Sequence, residues 1–181
     1  MVLVNNNKNI LLTGLPGCGK TTAVMRIIRS LKAIRIAGFY TQEIREGTKR
    51  VGFRWHSLEG GEGVLAHTKT GGRYRVGRYG VNSSEFENKV VPLLRPVRND
   101  IDLFVVDEIG KMECFSTMFI QSVRGLILSE KKLLATVAFK GEGFIDEVKK
   151  SDRVTVFELT QHGFNQTVTD ILEILSAGVK R

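Results

Sequence analysis

The amino-acid sequence predicts an α/β protein built on a mainly parallel sheet, with helices on both faces of that sheet. Short, continuous apolar runs such as Asn9–Thr13 and Ile101–Val106 alternate with segments whose apolar residues recur at helical spacing. Strands without polar alternation are typical of parallel sheets, because the crossover helices bury both faces. The length of 181 residues suits one domain with a sizeable core, and we expect residues 1–181 to form it.

Charge and cysteine usage narrow the class of protein. The formal net charge is +8, which permits contact with nucleic acid, but a solvated basic surface is the simpler interpretation because no nucleic-acid-binding motif is recognisable. Cys18 and Cys114 lack the spacing of a disulfide framework or a structural zinc site, so we expect a reducing compartment. The sequence has no apolar run of membrane-spanning length. We therefore expect a cytoplasmic monomer without membrane association.

The first strand and the first helix flank the most informative stretch of the chain. Asn9–Thr13 has the pattern of a buried strand, and the segment from Lys20 to Lys32 is apolar at positions 23, 24, 27, 28 and 31, as in a helix. Between them, Gly14–Thr21 fits the pattern G-x-x-x-x-G-K-[ST], the phosphate-binding loop of P-loop NTPases. A glycine-rich turn that merely capped a helix would leave the adjacent lysine and threonine unexplained.

The residue types of this phosphate loop have physical causes. Gly14 and Gly19 permit backbone angles at which consecutive N–H groups curl around an anion, next to a helix N-terminus that favours phosphate. Lys20 would place a cation on the β- and γ-phosphates, and Thr21 would place a hydroxyl on the accompanying Mg²⁺. The predicted nucleotide-binding residues of this part are Gly14, Leu15, Pro16, Gly17, Cys18, Gly19, Lys20, Thr21 and Thr22.

A β-hairpin is predicted after the first helix. Ile34–Arg45 is typical of a strand, Glu46–Lys49 is a glycine-containing turn, and Arg50–His56 nearly alternates between apolar and polar residues. The glycine-rich, basic segment Val64–Val81 should form short strands or loops. Basic strand faces are usually only solvated, but this one could also supply an arginine finger. The candidate fingers are Arg45, Arg50 and Arg54.

The later elements continue the alternation of strands and helices. Helices are predicted from Asn82 to Leu94, from Glu113 to Ser129, within Gly141–Lys150 and around Val168–Leu175, and strands at Ile101–Val106, Leu133–Phe139 and Val154–Leu159. In a parallel sheet with right-handed crossovers, ligands bind at the carboxyl ends of the strands. The phosphate loop and the residues after Val106 should therefore lie at the same edge of the sheet.

An acidic pair ends the strand Ile101–Val106. The carboxylate of Asp107 could reach Mg²⁺ directly or through water. Glu108 is suited to orient and partly deprotonate a water molecule in line with the γ-phosphate, as a hydrolase requires. Acidic residues after a strand are common, so the pair carries weight because a phosphate loop precedes it. The predicted catalytic residues are Glu108 and Lys20, and the predicted ligands of Mg²⁺ are Thr21 and Asp107.

Several stretches of the chain resemble the THEP1-type nucleoside-triphosphatase family. They are Gly14–Thr22, Gly38–Arg45 with Arg50–Phe53, Val106–Glu113 and Ala135–Gly141, so the resemblance covers almost the whole chain. It implies a RecA-like P-loop fold and Mg²⁺-dependent conversion of nucleoside triphosphates to diphosphate and phosphate, with loose base selectivity. It also implies nucleotide contacts from Leu103, Phe104, Val105, Val106, Asp107, Glu108, Ile109 and Gly110. One segment departs from the family's Thr-x-x-Asn-Arg pattern, because Thr160–Phe164 reads Thr-Gln-His-Gly-Phe.

Three functions are compatible with these motifs. The first is hydrolysis of nucleoside triphosphates, which the water-activating position of Glu108 favours. The second is a small-molecule nucleotide kinase, in which the basic stretch Arg73–Arg78 would be a lid over an acceptor. The third is a nucleotide-dependent switch that acts on a protein or RNA partner. A water-activating carboxylate would waste ATP in a kinase, and no partner-binding motif supports the switch, so the sequence predicts the hydrolase.

Overall fold

One nine-stranded sheet organises the computed structural model, which describes residues 8–177. The strands are β1 (Asn9–Thr13), β2 (Ile36–Glu46), β3 (Lys49–Ser57), β4 (Glu62–His67), β5 (Arg75–Val76), β6 (Tyr79–Val81), β7 (Leu103–Ile109), β8 (Lys132–Val137) and β9 (Thr155–Glu158). The helices are α1 (Lys20–Ser30), α2 (Ser83–Lys89), α3 (Thr117–Leu128), α4 (Phe144–Lys149) and α5 (Phe164–Ser176). Within the described part of the chain, no helix is long and apolar enough to cross a membrane.

The half of the sheet formed by β2, β7, β8, β1 and β9, in that order, is parallel, as the sequence predicts. Strands β7, β8 and β1 are buried on both faces, and β9 is a partly exposed edge strand. Ile10 and Leu12 pack on one face with α1 and α5, whereas Leu11 packs on the other face with α2, α3 and α4. Because both faces are covered, neither face needs polar residues, which explains the continuous apolar runs.

The predicted hairpin is part of a larger antiparallel extension of the same sheet. β3 pairs with β2, and β4, β6 and β5 then follow outwards, so the irregular segment Val64–Val81 contributes three short strands. Trp55, on β3, is 5% exposed and belongs to the core beneath α2 and α3. Its role is therefore packing, and it does not present a ring for stacking on a base.

Two predicted helices are shorter than their apolar spacing suggests. The helix predicted over Glu113–Ser129 begins as a short 3-10 turn, and α3 starts afresh after Ser116, whose Oγ accepts a hydrogen bond from the N–H of Phe119 at 3.0 Å. This is an N-cap, which ends the preceding turn. The helix predicted up to Leu94 likewise changes to a 3-10 turn at Pro92, since proline has no N–H to donate within an α-helix.

We expect Gly38→Ala to destabilise the protein far more than a glycine substitution at an open turn does. Gly38 lies in β2 with φ +116°, and a Cβ there would overlap the backbone of Val105 in β7. The two strands cannot separate without breaking their hydrogen bonds. The substitution should therefore lower the free energy of unfolding, measured in urea, by about 3 kcal/mol or more. Gly47→Ala is the matched control, because Gly47 also has positive φ but its Cβ would meet no atom, and its cost should be about 1 kcal/mol. Equal costs for the two variants would contradict this account.

Candidate active site

The phosphate loop lies where the sequence predicts it, between the end of β1 at Thr13 and the start of α1 at Lys20. Gly14, Gly17 and Gly19 all have positive φ, which turns the chain sharply before the helix. A Cβ at Gly14 would lie 2.7 Å from both the Sγ of Cys18 and the carbonyl oxygen of Leu159. Cys18 is thus packed against the loop's first glycine.

Lys20 and Glu108 face each other beside this loop. The Nζ of Lys20 donates to the carbonyl oxygen of Gly14 at 3.2 Å and lies 3.3 Å from the Oε2 of Glu108. The side chain of Lys20 is 10% exposed and that of Glu108 is 30% exposed, so the pair is partly shielded from water. An ion pair with this shielding holds both side chains in one place more firmly than a fully solvated pair would.

The buried carboxylate of Asp107 accepts hydrogen bonds from β2, β8 and α1. Its Oδ2 accepts a hydrogen bond from the Oγ1 of Thr21 at 2.8 Å, and its Oδ1 accepts one from the Oγ1 of Thr136 at 2.5 Å. The backbone N–H of Thr41 also points to Oδ2, at 3.5 Å. Burial raises the pKa of Asp107, and these three donors oppose that rise by stabilising the carboxylate.

The pairing of β7 with β8 explains how the side chains of two adjacent acids contact different partners. Val106 pairs with Ala135 and Ile109 pairs with Val137, so Asp107 and Glu108 together stand opposite a single residue of β8. The extra residue makes a bulge, which re-aims side chains at the end of a strand. The Asp107–Glu108 peptide bond is cis. Asp107 is directed to Thr21 and Glu108 to Lys20.

The environment of Glu108 favours a carboxyl group with raised basicity. Burial raises the pKa of Glu108, the charge of Lys20 lowers it, and the charge of Asp107 raises it again. A carboxylate with a raised pKa accepts a proton from water more readily than a solvated one, which is the property a general base needs.

Two oxygen donors suited to Mg²⁺ lie next to each other at the mouth of the loop. They are the hydroxyl of Thr21 and the carboxylate of Asp107, whose oxygens are 2.8 Å apart. Mg²⁺ is usually held by one or two protein oxygens together with substrate phosphates and water, not by a complete protein cage. The donor set therefore fits a Mg²⁺ ion that arrives with a nucleotide.

Five of the residues expected to contact nucleotide have side chains in the protein core. They are Leu103, Phe104, Val105, Val106 and Ile109, each with no exposed surface. These buried side chains anchor the strand that carries the acidic pair. Gly110 is buried at the end of that strand, and Thr22 and the loop residues Leu15, Pro16 and Gly17 are exposed.

The three arginines considered as fingers are all paired with acids on the antiparallel extension. Arg45 and Arg50 both form ion pairs with Glu43, and Arg54 pairs with Glu62. These contacts give each arginine a structural role on its own strands. Lys111 is exposed and lines a separate cleft with Arg75 and Glu142, and Lys140 is exposed after β8.

The segment that departs from the family pattern lies against the phosphate loop. The Oγ1 of Thr160 accepts a hydrogen bond from the N–H of Gly163 at 3.1 Å, which closes a turn before α5. A Cβ at Gly19 would lie 3.4 Å from the ring of Phe164, and the guanidinium of Arg26 lies over that ring, 5.9 Å from its centre. This turn thus forms one wall beside the loop.

Sequence reasoning missed Thr41 and Thr136 as partners of Asp107. Both lie inside stretches that resemble the family, but neither has a local pattern that indicates a hydrogen bond to Asp107. Thr136 is opposite the bulge on β8, and Thr41 is on β2 just beyond its pairing with β7. Their roles depend on which strands are neighbours, which no local spacing reveals.

The phosphate loop follows β1, the acidic pair lies near the end of β7, and β8 lies between these two strands of the parallel sheet. This arrangement defines a P-loop NTPase. The model of the NTPase family matches residues 9–172. The nucleoside-triphosphatase THEP1 of Thermotoga maritima is 42% identical over 166 residues, covering 92% of this chain and 94% of that protein. The human cancer-related nucleoside-triphosphatase is 35% identical, covering 96% and 99%. The chain belongs to this family of nucleoside-triphosphatases.

The solved structures agree with the sequence relatives. The crystal structure of THEP1 from Aquifex aeolicus superimposes with a TM-score of 0.82 at 31% identity, covering 93% of this chain and 99% of that one. The solution structure of the human cancer-related nucleoside triphosphatase gives a TM-score of 0.80 at 34% identity, covering 95% and 99%. The predicted fold class is thereby confirmed over nearly the full chain.

Proposed function

We propose that this chain hydrolyses nucleoside triphosphates to nucleoside diphosphate and phosphate, with Mg²⁺ held by Thr21 and Asp107 and with loose base selectivity. The observation that carries this proposal is the pairing of Glu108 with Lys20 at the mouth of the phosphate loop. Lys20 marks where the β- and γ-phosphates would lie. Glu108 is therefore within reach of a water molecule that attacks the γ-phosphate.

Binding would use the loop's backbone and the charge of Lys20. The N–H groups of the loop and of the first turn of α1 are oriented for an anion by the positive-φ glycines. Lys20, which contacts Gly14 and Glu108, would turn its ammonium to the phosphates. When bound, Mg²⁺ neutralises phosphate charge as a Lewis acid. Thr41 and Thr136 keep the carboxylate of Asp107 oriented.

The chemical step would then require a water molecule between Glu108 and the γ-phosphorus. As the new bond from the water oxygen to phosphorus forms, the bond from phosphorus to the bridging β,γ-oxygen breaks, and the electron pair leaves on the diphosphate. Glu108 accepts a proton from the water, and that proton passes on to a phosphate oxygen of the products. Lys20 stabilises the charge that develops on the transferring group.

A small-molecule kinase is the second candidate, because an open cleft adjoins the metal-binding residues. The cleft has a volume of about 610 Å³ and is lined by Thr21, Thr22, Met25, Arg26, Arg29, Ser30, Tyr40, Thr41 and Gln42. Its arginines could attract a phosphorylated acceptor. The hydrolase is favoured because Glu108 faces Lys20 and the phosphate loop, whereas it is not among the residues that line this cleft.

Phosphate release tests the proposal directly. The purified protein would be incubated with ATP and Mg²⁺, with ATP and EDTA, and with ATP, Mg²⁺ and RNA, without any acceptor molecule. Steady release of phosphate that needs Mg²⁺ supports hydrolysis. Absence of release without an acceptor would favour the kinase, and release that depends on RNA would favour a switch with an RNA partner.

We expect ATP, GTP, CTP and UTP to differ by no more than about tenfold in kcat/KM. The contacts that the site offers go to phosphates and metal, which every nucleoside triphosphate shares. The wall beside the loop is the ring of Phe164, and an aromatic face stacks on any base. Steady-state kinetics with the four nucleotides measure this ratio. A preference of several thousandfold for one base would contradict the proposal of loose selectivity.

A further inference from the structure

A third acidic residue, Glu113, lies near Asp107 and Glu108 and has no part in the mechanism above. It follows β7 in the short 3-10 turn Glu113–Phe115 and is 5% exposed. Its carboxyl group interacts with backbone N–H groups, those of Gly110 and of Glu113 itself. Burial raises the pKa of Glu113 to about 8, and the charges of Glu108 and Asp107 add to this rise. At neutral pH it is therefore mostly a neutral acid.

The carboxyl groups of Glu113 and Glu108 both lie beside Gly110. A Cβ on Gly110 would lie 2.9 Å from the Oε2 of Glu113 and 3.3 Å from the Oε1 of Glu108. The carbonyl oxygen of Gly110 accepts a hydrogen bond from the N–H of Cys114 at 3.0 Å. The turn at Gly110 thus packs against the carboxyl groups of both Glu113 and Glu108.

We propose that Glu113 is a positioning residue for Glu108, which acts by fixing the turn at Gly110 against which the carboxyl group of Glu108 rests. The inference depends on the proposed function, in which Glu108 activates water. Displacing a catalytic group by about 1 Å can slow a reaction by about a hundredfold, so the rigidity of this turn bears directly on the rate.

A neutral hydrogen-bonding side chain suits this role better than a charged or an apolar one. If Glu113 were ionised, its carboxylate would repel both Glu108 and Asp107 and would be an uncompensated buried charge. An apolar side chain would leave the N–H of Gly110 without its acceptor. Glutamine provides the same acceptor without an ionisable proton, so it should replace Glu113 with little loss.

The test compares Glu113→Leu with Glu113→Gln in full-length protein. We expect the leucine variant to lose about tenfold to a hundredfold in kcat while KM and the affinity for a non-hydrolysable ATP analogue stay within about twofold. The glutamine variant should stay within about threefold of wild-type kcat. Cys114→Ala is the matched control, because it changes packing in the same turn without altering Glu108 or Glu113. This variant should keep wild-type kcat.

A double-mutant cycle separates positioning from general loss of structure. In a Glu108→Gln background, adding Glu113→Leu should cost less than about threefold in kcat, because the group that Glu113 positions has already lost its function. An equal loss in both backgrounds, a wild-type rate for Glu113→Leu, or a glutamine variant as slow as the leucine variant would overturn the inference. If Glu113→Leu does not fold, Glu113→Met replaces it in the cycle, since methionine is an unbranched side chain that adapts to its surroundings and lacks the carboxyl group.

The same cycle distinguishes this inference from the proposed function. A slow Glu108→Gln enzyme together with a fast Glu113→Leu enzyme refutes the positioning role alone. A Glu108→Gln enzyme with wild-type turnover refutes the general-base role of Glu108, and the positioning role fails with it.

Discussion

Glu108→Gln should hydrolyse nucleoside triphosphates about a hundred to ten thousand times more slowly than the wild-type protein, the range for loss of a positioned general base. Glutamine keeps the size and the hydrogen bonding of the side chain but cannot accept the proton of the attacking water. Nucleotide affinity should hold or rise slightly, because Lys20 then has no carboxylate competing with the phosphates for its charge. Phosphate release and equilibrium binding of a non-hydrolysable analogue measure the two effects separately.

Two further variants frame this result. Asp107→Asn should weaken Mg²⁺-dependent binding as well as turnover, because the carboxylate that accepts from Thr21 and Thr136 loses its charge. Glu142→Gln removes an exposed carboxylate from the loop after β8 and should leave both quantities within about twofold of the wild type. Unchanged turnover in Glu108→Gln would remove the hydrolytic mechanism and would favour transfer to an acceptor bound in the cleft beside Thr21.

Lys20→Ala should lower turnover by about a hundredfold or more and should weaken nucleotide binding as well. The side chain of Lys20 is nine-tenths buried and its Nζ contacts Gly14 and Glu108, so its charge acts on the phosphates with little screening by water. Its loss affects both the ground state and the transition state. This combined effect distinguishes it from Glu108→Gln, in which affinity is preserved.

The control for Lys20→Ala is Lys32→Ala, which removes an exposed charge just beyond the end of α1. We expect wild-type kinetics for it, because an exposed charge at that end of the helix is well screened. The two variants would be compared at several ATP concentrations to separate kcat from KM. If Lys20→Ala hydrolysed ATP at near the wild-type rate, the assignment of the phosphate loop would be wrong.

Local features of the sequence determine a large part of this protein. The phosphate loop is one continuous stretch that includes three glycines, a lysine and a threonine, and its chemistry depends on backbone angles that glycine permits. The buried strands and amphipathic helices follow from apolar spacing, which records how each segment is covered. The parallel direction of the strands, the helices on both faces of the sheet and the site at the carboxyl ends of the strands are therefore predictable before any contact is known.

Only the tertiary structure decided which side chains surround Asp107. Thr136 comes from β8 and Thr41 from β2, and each reaches the carboxylate because of strand pairing and a bulge opposite Thr136. Such contacts join residues far apart in the chain, so no local period encodes them. The break of the predicted helix at Ser116 has a local cause: its Oγ accepts a hydrogen bond from the N–H of Phe119. Such a cap starts a new helix without changing the apolar spacing that predicted a single one.

The burial of Glu113 and the pairing of the candidate finger arginines were likewise decided by tertiary contacts. In sequence, Glu113 is an ordinary acid at the end of a charged stretch, and Arg45, Arg50 and Arg54 look like free cations on a strand face. In the fold, Glu113 is buried beside Gly110. Arg45 pairs with Glu43 of its own strand, and Arg50 and Arg54 pair with Glu43 and Glu62 of the neighbouring strands. The physical reason is that residue type and spacing specify the hydrogen bonds and packing within a segment, whereas the charge environment of a side chain depends on the segments that fold against it.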